Sequence, residues 1–156
     1  MASSRGAAIS IAPVLVRLAR PEEYEAIGNL VADVYRNEGF VHGAYLDVLR
    51  NAARRATEAE LLVAIDRDDQ IVGTITYAAG GTPFGDVAGP DEAEFRMLAV
   101  APETRGEGAG ERLVLACIER ARDQGRARLV ISTQVEMQTA HRLYERLGFV
   151  RAPERD

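Results

Sequence analysis

A mixed α/β domain is the fold class this sequence predicts, on three observations. Glu94 to Gly125 reads as a strand, a glycine-rich turn and a helix in one run. Leu129, Val130 and Ile131 follow as a short apolar segment; a helix crosses between this strand and the one before it, so the two run parallel. Upstream, Glu60 to Asp66 and Gln70 to Ala79 are joined only by Arg67-Asp68-Asp69, a hairpin by length and polarity. There is no internal repeat.

Taken in order, residues 1–12 form an N-terminal extension, small and polar at first, and a single domain is expected over 13–156. Pro13 to Leu18 has the pattern of an edge strand. Arg20-Pro21-Glu22-Glu23 starts a helix, because proline suits the first turn and acids suit the positive end of the dipole. Ile27, Leu30, Val31 and Val34 give that helix its buried stripe. After a break at Asn37-Glu38-Gly39, helical spacing of Tyr45, Val48, Leu49, Ala52 and Ala53 predicts a second helix to about Ala56.

Gly80 to Glu92 is too rich in Gly and Pro for regular structure, and a loop of that length in a compact domain is more often functional than idle. Phe84 and Asp86 are its candidate substrate contacts. Phe95 and Met97 to Val100 suit a largely buried strand, which Pro102 ends by removing an N–H donor. Leu113, Val114, Cys117, Ile118 and Ala121 stripe the next helix, which closes at Gly125. Arg126 to Thr133 holds the parallel strand. Met137 to Leu147 is a fourth helix with Ala140, Leu143, Tyr144 and Leu147 on one face; Gly148 ends it, and Phe149 and Val150 begin a last strand.

The turn Arg105-Gly106-Glu107-Gly108-Ala109-Gly110 opens a helix whose first N–H groups lack intrahelical partners, while glycines leave room for a ligand to approach them. A phosphate group fits such a turn, although a tight structural connection has the same composition. Two nucleotide patterns are excluded. No Gly-Lys-Ser/Thr ends the turn, and Glu111 follows where a dinucleotide fingerprint needs its third glycine.

Composition narrows the classes further. Hydrophobic residues at 47% and charged residues at 28% are ordinary for a soluble globular protein. No apolar run approaches the roughly 20 residues that span a bilayer. The opening stretch runs directly into strand-like PVLVRLA, so removal as a signal peptide would damage the fold; a cytoplasmic location is expected. A net charge of −5 argues against general nucleic-acid or anionic-membrane binding. Cys117, the only cysteine, sits on an apolar stripe as a core residue, and His42 and His141 are too isolated for a metal site.

Arg105, Gly108 and Gly110 match the signature Arg/Gln-x-x-Gly-x-Gly/Ala, and the sequence thereby resembles the GNAT superfamily of acetyl-CoA-dependent N-acetyltransferases. Leu98-Ala99-Val100-Ala101-Pro102-Glu103 looks like that family's fourth strand, and Ala140-x-x-Leu143-Tyr144-Glu145-x-Leu147-Gly148-Phe149 is similar to its closing helix and strand. The resemblance covers most of Val14 to Arg151, more strongly in the second half. It implies a central, mostly antiparallel sheet with one splayed parallel pair, flanked by about four helices. It also implies acetyl-CoA as co-substrate, its pyrophosphate on the N–H groups of Arg105, Gly106, Glu107, Gly108, Ala109 and Gly110. The pantetheine arm would lie beside Leu98, Ala99 and Val100, pairing as an added strand does. Met137 stands where the family often has an Asn that contacts this arm.

Transfer to an amine poses two proton problems. An ammonium of pKa about 10.4 is less than roughly 0.1% free base at pH 7, so a base is useful. The departing thiolate benefits from an acid. Glu94 stands eleven residues before Arg105, the spacing at which some family members carry a base. By alternation it shares a face with Arg96, Leu98 and Val100. A structural ion pair is its competing role, and Glu92 is the reserve. Tyr144 matches the family tyrosine that protonates the thiolate. Tyr35 and Phe40 lie in the segment that borders the acceptor pocket in the family, or simply cap the sheet.

The resulting expectation is an N-acetyltransferase acting on a primary amine of a small molecule or peptide, a monomer or homodimer with no metal. A non-catalytic CoA-binding regulatory module and a protein N-terminal acetyltransferase are the rivals. Because the chain stops at Asp156, seven residues past Phe149, the final strand of the family is expected to be missing.

Overall fold

Alternating apolar residues build the sheet, and the computed structural model describes residues 14–39, 43–131 and 138–153 of the chain. Strands β1 (Leu15–Leu18), β2 (Glu60–Ile65), β3 (Ile71–Ala79), β4 (Glu92–Val100) and β5 (Arg128–Val130) lie side by side in that order. All neighbours are antiparallel except β4 and β5, as the crossover between them requires. The β2–β3 turn is closed by Asp66, whose carboxylate accepts the amides of Asp68 and Gln70.

Helices α1 (Tyr24–Asn37), α2 (Ala44–Arg50) and α3 (Ala52–Arg55) cover one face; α4 (Ala109–Asp123) and α5 (Gln138–Arg146) cover the other. The expected second helix is two short ones. Asn51 leaves helical geometry and its side chain accepts the amide of Arg54, starting a new turn. This break lets the end of α2 press on α1: a Cβ on Gly28 would lie 2.1 Å from the carbonyl oxygen of Arg50, so only glycine permits the approach. Leu113, Val114 and Cys117 of α4 are fully buried against Ile75 and Phe95, and burial pushes the Cys117 thiol far above its ordinary range. It is a core residue, as its sequence position implies.

Two expectations fail. Phe149 and Val150 do not form a strand. Gly148, at φ 97°, ends α5 with a left-handed cap in which the Phe149 amide donates to Tyr144 and the Gly148 amide to Glu145. The cap turns the Phe149 ring back onto Phe95 and Tyr144, while Val150 stays exposed. The second failure is the phase of β4. Met97 has φ 58°, and Ile75 stands opposite both Met97 and Leu98, a β-bulge. Phe95, Leu98 and Val100 therefore face α4 and α5, whereas Arg96, Met97 and Ala99 face α1 and α2. Glu94 keeps Arg96 on its face and loses Leu98 and Val100.

Candidate active site

The site begins where the described pairing of β4 and β5 ends. That pairing covers Glu92 to Glu94 against Arg128 to Val130, and is the parallel pair expected above. From Phe95 to Val100, β4 has no strand on that edge among the described residues, an edge that suits an extended ligand.

Past Val100, a short 3-10 turn at Pro102–Thr104 leads into the glycine turn. Gly106 and Gly108 have φ of 87° and 90°, a conformation that L side chains rarely adopt, and no atom lies within 4 Å of a Cβ built on either. Gly108 precedes α4 without any side-chain cap. The amides of Gly108, Ala109, Gly110 and Glu111 donate to no acceptor among the described residues. Gly110 does something else. A Cβ there would meet Val100 at 3.5 Å and Leu143 at 3.7 Å, so this glycine sits where the end of β4, α4 and α5 pack together. Arg105 is held only loosely, in a half-exposed ion pair with Glu38 at 3.6 Å.

Tyr144 packs from α5 against the α4-facing side of β4. It is 7% exposed, its ring edge-on to Phe95 at 5.6 Å and to Phe149 at 5.9 Å. Burial, and after it the neighbouring Cys117, push its phenol well above the usual range, so it holds its proton at neutral pH. Tyr35, buried on α1, is pushed up in the same way by burial, and next by the phenol of Tyr144.

Glu94 is 1% exposed, and its Oε1 accepts the amides of Val87 at 2.9 Å and Ala88 at 3.1 Å. Burial raises its pKa; those two hydrogen bonds oppose the rise without cancelling it. Glu94 therefore ties down the 80–91 loop. Glu92 accepts the amide of Gly89 and pairs with Arg128 at 3.4 Å, a structural arrangement at the far end of the strand.

Arg96 joins the loop to the helices. Its guanidinium lies 5.8 Å from the centre of the Phe84 ring, 3.7 Å from Asp86 and 3.4 Å from the hydroxyl of Tyr45. Phe84 and Asp86 are thus gathered at one place with Tyr45. Tyr45 lies in the segment that the resemblance placed at the acceptor pocket; Arg96 was not among the sequence candidates, although the phase it shares with Glu94 pointed that way. Phe40 and Met137 lie outside the described residues. Among the described residues there is no group of three or more metal-ligating side chains, and no helix long and apolar enough to cross a membrane. A cavity of about 250 Å³ lined by Glu60, Tyr77, Gln124 and Arg126 lies at the opposite end of α4 from the glycine turn.

The chain is similar to several known proteins. A mouse protein described as probable N-acetyltransferase family 8 member 5 is 38% identical over 82 residues, covering 52% of this chain and 34% of that protein. The chain spans about a third of the length of the first curated relatives it matches. A GNAT-family acetyltransferase structure from Staphylococcus aureus superposes with a TM-score of 0.74 at 16% identity, over 90% of this chain and 86% of that one. A Brucella melitensis GNAT-family acetyltransferase solved with acetyl-CoA gives a TM-score of 0.68 at 22% identity, over 90% and 84% of the two chains. The family profile "Acetyltransferase (GNAT) family" matches residues 23–149, and with that match spanning the sheet, the glycine turn and Tyr144, the chain belongs to this acetyltransferase family.

Proposed function

We propose that this protein transfers the acetyl group of acetyl-CoA directly to a primary amine of a small molecule or peptide, in the cytoplasm. One observation carries the reading: the open edge of β4 from Phe95 to Val100 leads straight to the unbonded amides at Gly108 to Glu111. An extended amide-bearing arm would pair with the edge, and the pyrophosphate would take the amides and the positive end of α4. The Brucella melitensis relative solved with acetyl-CoA supports this choice of donor.

In the transfer, the amine lone pair attacks the thioester carbonyl carbon, a C–N bond forms and the C–S bond breaks. The sulfur leaves with the bonding pair and takes the Tyr144 proton; the attacking nitrogen loses a proton to Glu94, directly or through water. Tyr144 carries a proton at neutral pH for the first role, although burial makes it a weaker acid than a free phenol. A carboxyl with a raised pKa, fixed through one oxygen, suits the second. Glu94 also anchors the loop that carries Phe84, so positioning and proton transfer meet in one side chain.

Thiol release from acetyl-CoA, measured with polyamines, aminoglycosides, amino acids and short peptides, tests the reading. Amine-dependent release is expected. Tight CoA binding by calorimetry with no release from any acceptor would refute it in favour of a binding module.

A further inference from the structure

Arg55 is a buried cation with no anion beside it among the described residues. On α3 it is 1% exposed, among the most enclosed side chains of the protein. Its Nε donates to Thr76 Oγ1 at 3.2 Å, and its Nη1 to the carbonyls of Val48 at 2.9 Å and Leu49 at 3.2 Å. All three acceptors are neutral. Among the described residues no carboxylate reaches its guanidinium, and Nη2 has no acceptor. No wholly enclosed side-chain nitrogen or oxygen in the described structure lacks a partner, so Nη2 borders accessible space. A cation taken out of water without a counter-charge is costly, and the usual native solution is to pair it. Burial lowers the Arg55 pKa to about 10, which still leaves it charged at neutral pH.

Arg55 lies on the side of the sheet covered by α1, α2 and α3. Thr76, which Arg55 grips, stands directly opposite Arg96 in the β3–β4 ladder, so the two arginines share a face. The groups acting electrostatically on Arg55 are Tyr45, Arg96 and Tyr35: two phenols and a second cation. The nearby acids act on Arg96 and not on Arg55: Asp86, itself 71% exposed, lies 3.7 Å from Arg96, and Glu94, bonded to the amides of Val87 and Ala88, feels the Arg96 charge, while Glu38 lies against Arg105. Thus α1, α2, α3, β3, β4 and the 80–91 loop bring together two guanidinium groups and two phenols, and Arg55 is left without a carboxylate among the described residues.

We propose that this cluster receives a carboxylate of the acceptor, so that the amine acetylated belongs to an amino acid or a related amino-carboxylic acid rather than to a polyamine or aminoglycoside. The inference rests on the acetyltransferase reading above. Arg96 flanks the bulge at Met97, so a carboxylate bound there would lie beside the strand on which the extended arm is proposed to pair. Guanidinium forks and phenol hydroxyls suit the two oxygens of a carboxylate. A polycation would meet the uncompensated charge of Arg55 instead.

The test compares each of a set of amino acids with its own amide as acceptor. The amide has nearly the same shape and no charge, and its amine is less basic, so it offers more free base at pH 7.5 and the comparison is biased against the proposal. An advantage of at least tenfold in kcat/KM for the acid, mostly in KM, is expected. Arg96→Gln should remove that preference while CoA affinity, read by calorimetry, stays at the wild-type level; this partly exposed position tolerates change better than Arg55. Amine-dependent turnover without preference for the acid, or a preference that survives Arg96→Gln, overturns the inference and leaves the acetyltransferase reading standing. Absence of turnover with every amine overturns both.

Discussion

Replacing Gly108 by Val separates the two things this glycine does. A Cβ at this position meets no atom within 4 Å, so the branch point of the added side chain stands in open space. The cost is in the backbone: at φ 90° an L residue is disfavoured by about 1–2 kcal/mol. A domain of this size loses roughly 2–4 °C of Tm per kcal/mol, so a fall of about 2–8 °C is expected. Binding should suffer far more. The new methyl groups stand in the mouth of the turn; hydrogen bonds to a charged group contribute about 1.5–3 kcal/mol each, and loss of two weakens CoA by on the order of 10²- to 10⁴-fold. Gly125→Val is the matched control, because Gly125 has φ 71° and equally open surroundings, but sits at the other end of α4. Calorimetric titration with CoA, beside thermal melts of both variants, decides the matter. Unchanged CoA affinity in Gly108→Val, or an equal loss in Gly125→Val, would refute the assignment of the turn to the pyrophosphate.

Tyr144→Phe should keep the edge-on contacts with Phe95 and Phe149, retain CoA affinity and lower turnover by roughly 10²- to 10⁴-fold; an undiminished rate would leave Tyr144 as a packing residue. Glu94→Gln preserves an oxygen for the amides of Val87 and Ala88, so the loop should stay in place while the rising limb of the pH–rate profile changes; an unaltered profile would hand the proton to water. Glu23→Gln tests an ion pair away from the site. The Arg17 guanidinium, bonded to both oxygens of Glu23 at 3.0 and 2.8 Å, lowers its pKa from 4.5 to about 2. A depressed carboxylate stabilises the fold above its unfolded pKa and loses that contribution as pH falls through the folded value. The wild type should therefore exceed the variant by on the order of 2 kcal/mol at pH 7, converging near pH 2, in denaturant titrations at both pH values; a gap that does not vary with pH would contradict the linkage.

The glycine turn and α4 were legible because their cause is local: positive-φ glycines and a stripe at helical spacing carry their own signal. The hairpin was legible for the same reason. The bulge was not, since methionine at φ 58° has no compositional mark and simple alternation then assigns Leu98 and Val100 to the wrong face. Phe149 looked like a strand because it is apolar and follows a glycine, yet that glycine caps a helix and folds the chain back. Arg55 was hidden by its neighbours. In Ala52-Ala53-Arg54-Arg55 it reads as a solvated helix end, and only the break at Asn51 rotates it under α2 toward Thr76.

Met97 is a surplus residue as far as the hydrophobic pattern is concerned. Were it deleted, Arg96 would be followed directly by Leu98, and every remaining side chain of β4 would keep its present face in an unbroken pleat. Burial alone thus has no use for the insertion beyond the packing of one thioether near Thr76, and the left-handed backbone there works against the fold by about 1–2 kcal/mol. What the extra residue supplies is a kink halfway along the strand, on the margin that has already lost its neighbour. The strand is thereby divided into a lower half paired on both sides and an upper half that, among the described residues, is paired to β3 alone.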